Sequence, residues 1–588
     1  MQSSQPLRFR RFLDTSSLFK WIAVAGIFAA FLLLLAFIAR HNHEIPYADQ
    51  WSTSASLAIA VREGTLTFHD LIAQHNEHRI FFTNLTTVIL TYLTDWRISL
   101  EPFFPLALAS LSYLLLVLIF RRAHVRLLAA AALGFALLVF SIRQGYNWYL
   151  GFQSCMYFLY CFYIAAVASL SLQRAGWRAL ALAGIFCFCA TFSFAYGLLT
   201  WGVLLPCLWL FNYRRVRYFL VWCGLAAVTY LLYFSDFAFP PRPAAASLVS
   251  LSFLEAVFAS LGAQFVDVLM GDYNPAAVLF GILGLFWFCV NAWALWRFSR
   301  QPRLLAPWLA LAGFALASSA LVSYGRADLG LGQVLHARYV TISHLLWLSS
   351  AALGLIALVW LRRARVGRSL RRGFVALNLS VLVICGAAFA NQTITTLRLP
   401  APGFDYLEDC VLAYPVTQQP ECLVDLYPLF NPALSTPQML TTLYERVNLL
   451  ARYHLAIFAD HEPEMPPAML LEQAQTLAAA EDFSGAAEAI SVLLERMPNN
   501  ADALNHRGMY YAQLGRNQDA IADFSRAIET SAANSFAYFS RAALYMVEER
   551  YQEARSDFQS IQANAPEYDL ARAKLAELDA LNEVTETP

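Results

Sequence analysis

The stretch "WIAVAGIFAAFLLLLAFIARHNHEIPYADQW", residues 21–51, decides the architecture. Residues 21–39 carry no charge and are apolar all the way round a helix, and about 20 such residues cross the roughly 30 Å of bilayer hydrocarbon. Arg8, Arg10, Arg11 and Lys20 precede them. A run of this length is long for a cleaved signal sequence, so a retained anchor is predicted. Directly after it the chain turns polar, and Asp49 follows in "PYADQW".

Working outward, 59% of the 588 residues are hydrophobic and only 14% are charged, against about 25% charged in a soluble domain. The apolar residues concentrate before residue 392, which makes the chain a polytopic membrane protein with a soluble tail. Forty-one basic residues balance 41 acidic ones, so no bulk charge points to nucleic acid. Eleven spans are predicted, at 21–39, 103–120, 127–142, 154–172, 179–192, 197–211, 216–234, 275–297, 304–323, 339–361 and 373–391. The segment 251–269 is apolar but interrupted by Glu255, Gln264 and Asp267. A carboxylate at mid-bilayer costs about 2.5–3.5 kcal/mol on insertion scales, so this segment is expected to rest at the outer interface.

Arginines cluster in alternate loops: Arg121, Arg122 and Arg126; Arg174 and Arg178; Arg214, Arg215 and Arg217; Arg297, Arg300 and Arg303; and six between 362 and 372. The positive-inside rule then puts residues 1–20 in the cytoplasm and the tail outside. Every acidic residue of the membrane half except Asp14 falls on the outer side, with His41, His43, His69, His75, His78 and His336. Groups able to do acid, base or ligand chemistry are gathered there. The inner loops are short, and neither GxxxxGK[ST] nor a strand-GxGxxG-helix unit occurs. A cytoplasmic ATP or nucleotide-sugar site is thereby disfavoured, and an activated donor would arrive through the membrane.

The first outer loop, 40–102, is predicted to carry surface helices near 52–62, 67–75 and 80–93, with "HNEHR" at 75–79 between the last two. His75, Glu77 and His78 suit zinc or manganese, given a further ligand such as Asp49 or Asp70. The competing readings are hydrogen bonding near a substrate and a structural loop lock. No cofactor is required, and a divalent metal is left open. In "RQGYNWYLGFQ", 143–153, Tyr146, Trp148 and Tyr149 could stack on a sugar ring, although aromatic residues are ordinary at a membrane interface. Asp272 in "GDYNP" and Asp328 in "YGRAD" are weaker candidates for substrate contact.

Residues 392–466 are predicted to link the bundle to the tail and contain Cys410 and Cys422, the two cysteines outside the membrane half. In an oxidising compartment they are expected to pair as a disulfide. From 467 a period of 34 residues appears: Phe483, Asn517 and Tyr551 share it, as do Ala486, Ala520 and Ala554. Small residues between two helices and large ones in the groove fit tetratricopeptide repeats at 467–500, 501–534 and 535–568. A helix near 569–581 would cap the array, and 582–588 would form a tail. The predicted fold class is all-α: a polytopic membrane bundle followed by a repeat solenoid that holds a protein or peptide partner.

The layout of residues 20–390, with an inner N-terminus, a long first outer loop and many spans, resembles the GT-C superfamily of membrane glycosyltransferases. A repeat tail on such a unit also resembles the eukaryotic protein O-mannosyltransferase relatives with luminal repeats. The resemblance implies a polyprenyl-phosphate sugar donor, an extracytoplasmic acceptor and a catalytic carboxylate in the first outer loop, here Asp49. Many members carry an acidic pair there, whereas Asp49 has only Glu44 five residues earlier. The chemistry asks for a base to take the acceptor proton and fixed positive charge where the phosphate leaves. Arg79 and Arg338 are the candidates for that charge, each with interfacial snorkelling as its competing role. Two other classes stand against an enzyme. One is a non-catalytic membrane scaffold whose repeats assemble envelope proteins. The other is a transporter, disfavoured because the predicted spans contain no Asp or Glu.

Overall fold

The computed structural model describes residues 17–123, 127–239, 250–266, 274–299, 301–326, 331–364, 366–398, 404–418, 423, 437–463, 465 and 467–585. Nearly all of them are helical; the strands among the described residues are Gln74–His75 and His78–Arg79, paired antiparallel. The chain divides into two compact units, one of residues 1–408 with 420–462 and the other of 409–419 with 463–588.

Among the described residues of the first unit, eight helices are long and apolar enough to cross a membrane: Ser17–Arg40, Ile98–Arg121, Gly151–Leu172, Val216–Tyr233, Pro275–Ser299, Pro302–Gly325, Ala337–Arg363 and Arg368–Arg398. This is a multi-pass membrane protein. The other three predicted spans correspond to shorter apolar helices, Leu128–Gln144, Trp177–Thr191 and Gly197–Leu210.

Position in the bundle follows from which side chains find partners. Trp21, Phe28 and Leu32 on the first span and Leu379, Val383 and Ile384 on the last are exposed, as expected of helices whose outer face meets lipid. Ala337–Arg363 is buried along most of its length and forms the centre, against Pro275–Ser299 and Pro302–Arg326. Leu251–Gly262, expected to rest at the outer interface, packs one face against Pro275–Ser299 and Pro302–Arg326. Small residues allow this packing. A Cβ on Gly262 would lie 1.9 Å from the carbonyl oxygen of Ala277, and one on Gly281 would lie 1.9 Å from that of Phe258. Only glycine lets these two helices approach so closely. Asp267 lies outside the described residues.

The loop 40–102 folds as short helices, Ser54–Glu63, Phe68–Ile72 and Phe81–Thr94, close to the predicted ranges. Gly64 ends the first of these in the left-handed region at φ +70°, a conformation that glycine adopts without a Cβ penalty. Residues 437–462 are not the linker expected of them, because they return to back this loop. Tyr453 donates to Glu63 (3.2 Å), the Ala456 amide donates to the Asp95 carbonyl (2.9 Å), and Arg97 pairs with Asp460.

The second unit is built of helices joined by short turns: Pro467–Ala479 with Phe483–Arg496, Ala501–Gln513 with Asn517–Thr530, and Ser535–Val547 with Tyr551–Ser560, followed by Tyr568–Thr585. Ala486, Ala520 and Ala554 are fully buried between paired helices. A Cβ on Gly508 would come within 2.8 Å of the Phe524 ring. The side-chain network repeats as well. Arg507 donates to both oxygens of Asp523 (2.7 Å each) and to Ser491 (3.0 Å); Arg541 donates to both oxygens of Asp557 (2.8 Å each) and to Ser525 (2.8 Å). Asn500 and Asn534 both cap the helix that follows them. Cys410 is disulfide-bonded; Cys422, its expected partner, lies outside the described residues.

Candidate functional site

Asp49 sits on a one-turn 3-10 helix, Ala48–Gln50, entered through Ala48 at φ +57°. Its neighbours Tyr47, Gln50 and Trp51 are buried. The Tyr47 amide donates to the Gln50 side-chain oxygen (3.0 Å), whose amide nitrogen donates to Glu101 (2.7 Å). Trp96 donates to the other Glu101 oxygen (2.8 Å). A Cβ on Gly151 would lie 1.5 Å from a Glu101 carboxylate oxygen, so glycine makes room for this buried acid. The Asp49 carbonyl accepts from Thr53 Oγ1 (2.7 Å) and from the Thr53 amide (3.1 Å). With the backbone fixed and its neighbours turned inward, the Asp49 side chain remains 35% exposed.

"HNEHR" is a tight β-hairpin, with Asn76 at φ +50° and His75 directly opposite His78. His75 Nε2 stands 3.7 Å from Asp49 Oδ2, with its ring edge-on to Phe152. His78 stacks on Phe194 at 3.7 Å between centroids, and its Nδ1 accepts from the Ala195 amide (3.4 Å). Its Nε2 faces Glu77 at 3.7 Å.

Arg79 has a different place from the one expected. It is buried, and its three nitrogens donate to the backbone carbonyls of Tyr233 (2.7 Å), Ile72 (2.7 Å) and Ser235. Gln74 bonds the segment just after that helix through both Ala238 backbone groups, and Tyr233 donates to the Glu77 carbonyl (2.8 Å). Arg79 thus locks the hairpin to the end of Val216–Tyr233 through backbone carbonyls.

Arg338 opens the central helix Ala337–Arg363, where His336 accepts from its amide (3.3 Å). Its side-chain Nε is buried without a hydrogen-bond partner among the described residues. The string 143–153 holds this helix start: Asn147 donates to the Arg338 carbonyl (3.0 Å) and Thr341 (2.7 Å), while Gln144 accepts from Thr341 (2.7 Å) and Tyr157 (2.9 Å). Trp148, expected to stack on a sugar, is fully buried and donates to the Ser141 carbonyl (2.8 Å). Tyr149 is buried too, stacked on His41 at 5.2 Å. Neither offers an open ring face. The aromatic pattern of this string serves packing, and its amides serve Arg338.

These elements set the charge of Asp49. Burial pushes its pKa up, but the adjacent His75, then the charges of Arg338 and His78, outweigh it and hold the carboxyl below the usual range. The site is an ionised, part-open carboxylate facing two imidazoles and an arginine.

Glu44, five residues earlier, is not the second member of an acidic pair. Its carboxylate accepts from the Ile98 and Ser99 amides (3.0 and 3.3 Å) and so caps the next helical segment. Asp70 caps Phe68–Ile72 by accepting from Thr67 (2.7 Å). No three His, Cys, Asp or Glu side chains among the described residues converge as metal ligands. Asp272 and Asp328 lie outside the described residues. Sequence reasoning missed Gln50 and Glu101, whose only signal was a carboxylate at the mouth of an apolar run. Compared with known protein families and with curated proteins, the chain matches none.

Proposed function

We propose that the chain is a membrane glycosyltransferase of GT-C type that moves a sugar from a polyprenyl-phosphate carrier to an extracytoplasmic acceptor. The observation that carries this reading is the Asp49 carboxylate, ionised and part-open in the first outer loop, within the field of Arg338 and 3.7 Å from His75. In the reaction the acceptor hydroxyl loses its proton to Asp49 as its oxygen bonds to the sugar carbon. The bond from that carbon to the carrier phosphate breaks, and the phosphate departs with the electron pair. Arg338, whose Nε has no partner among the described residues, supplies the fixed charge that favours this departure. His75 and His78 orient the carboxylate and the sugar. An ionised carboxylate of low basicity suits a proton taken late, as the donor bond opens.

Counting the three shorter apolar helices as spans gives eleven crossings, an inner N-terminus and an outer tail, in line with the arginine pattern. The disulfide at Cys410 supports the same side for the tail, since the eight cysteines of the bundle are free. The helix pairs of the second unit read as three tetratricopeptide repeats and a capping helix. Their recurring networks support that reading, and such an array would hold a protein acceptor or a partner that presents one.

Asp49→Asn tests the proposal in membranes supplied with radiolabelled polyprenyl-phosphate sugars. Sugar transfer should fall by at least about 100-fold at normal protein level, the usual cost of losing a general base. Unchanged transfer would remove the catalytic claim and leave the scaffold reading.

A further inference from the structure

The bundle has a second charged site at the end opposite Asp49. The helix that begins beside Glu101 ends near Arg122, and the helix that begins near Phe152 ends before Arg174. Helices of 19 residues rise about 28 Å, so these arginines are far from the carboxylate site. Arg122, Arg174 and Arg303 surround a cavity of about 460 Å³ with Phe211, Asn212 and Trp308. That volume lies in the range of small-ligand sites.

Among the described residues no carboxylate pairs with the arginines of this cavity. Between Glu101 and Asp236 the sequence holds no Asp or Glu, and none occurs between Asp272 and Asp328. No ion pair to Arg122, Arg174 or Arg303 occurs among the described residues; Arg122 gives one bond to the Leu172 carbonyl (2.6 Å). The first turn of Pro302–Arg326 lines the same cavity, and a helix N-terminus adds partial positive charge. Three guanidinium groups repel one another unless an anion sits between them, and the planar fork of arginine matches phosphate oxygens. Phe211 and Trp308 give the cavity an apolar wall beside that charge.

We infer that this cavity binds a phosphate group, carried either by a lipid headgroup or by a soluble phosphate. The site is independent of the proposed transferase reaction. Its ligand supplies the negative charge that the helices lining the cavity lack.

The test is native mass spectrometry of the delipidated full-length protein in detergent, titrated with phosphatidylglycerol, phosphatidylcholine or inorganic phosphate. Arg174→Gln/Arg303→Gln spares the Arg122 bond to Leu172. Arg371→Gln/Arg372→Gln serves as a control on the same end of the bundle, outside the cavity. Melting temperatures report whether both variants fold. Phosphatidylglycerol bound one to one and weakened at least tenfold in the cavity variant alone assigns a lipid headgroup. Inorganic phosphate bound with the same arginine dependence assigns a soluble phosphate. Equal weakening in the control, binding indifferent to headgroup charge, or no binding of any probe overturns the inference.

Discussion

Two regions of the molecule solve the burial of charge in opposite ways. In the second unit, Arg507 with Asp523 and Ser491 is reproduced 34 residues later by Arg541 with Asp557 and Ser525. Each guanidinium is matched by a carboxylate on the paired helix, and the arrangement is stable because it is closed. In the loop 40–102 every contact occurs once. Arg79 is closed by backbone carbonyls and Glu101 by Gln50 and Trp96, whereas Asp49 stays part-open, its carboxyl held low by His75 and by Arg338 at the start of the central helix. A repeated network is a structural solution. A single network left open is where a ligand can enter.

The largest effect should come from opening the closed network. Asp523→Ala leaves Arg507 part-buried and unpaired, which costs about 3–4 kcal/mol. Hydrogen exchange on Ala501–Thr530 should rise accordingly, while Pro467–Arg496, which has Gln473 and Ala489 at the equivalent positions, should change less. Equal exchange in mutant and wild type would mean that the ion pair contributes nothing to the repeat.

Next is the pH response of the loop 40–102. Burial pushes His43 down to about 4 against the bonding of its ring to backbone carbonyls, so it is neutral in the folded protein. The unfolded chain takes up a proton below about 6.5 and the folded one does not, so stability falls as pH drops from about 6.5 to about 4. The loss should reach at most about 3 kcal/mol. His43→Phe keeps the stack on Phe404 and should flatten the melting temperature across that window. A profile unchanged by the substitution would assign the acid sensitivity elsewhere.

Gly151→Ala should cost about 2 kcal/mol, because the new Cβ collides with a buried carboxylate and breaks its bonds to Gln50 and Trp96. Pairing it with Glu101→Gln, measured by melting temperature, would show non-additive losses if the two share one space. The smallest effect is a gain. Glu481, Gly515 and Glu549 occupy equivalent turns at φ +64°, +71° and +60°. Glu549→Gly should stabilise its helix pair by up to about 1 kcal/mol in hydrogen exchange.

The same contrast explains what the residues revealed beforehand. The period of 34 was legible in Ala486, Ala520 and Ala554 because small buried residues recur wherever helices touch. The Arg, Asp and Ser members recur at that spacing too, but exposed charge is common enough that their pairing hides until the helices are folded. Eight of the eleven apolar segments form full-length helices, since hydrophobic length is written locally. The packed position of Leu251–Gly262 depended on Gly262 meeting Gly281, a contact between helices that neither segment announces. At the site, Asp49, His75, His78 and Arg338 could be named because ionisable residues stand out beside apolar segments. Arg79 and Trp148 were misplaced because their partners are backbone carbonyls, which every residue possesses and no sequence distinguishes.

The central claim is that Asp49 and Arg338 serve one reaction in different roles. The most direct measurement is steady-state sugar transfer by purified Asp49→Asn and Arg338→Gln proteins with varied polyprenyl-phosphate sugar. The account predicts that Asp49→Asn lowers kcat at least about 100-fold with little change in KM, whereas Arg338→Gln lowers kcat/KM by about tenfold or more. Wild-type kinetics in both variants, at normal folding, would contradict it.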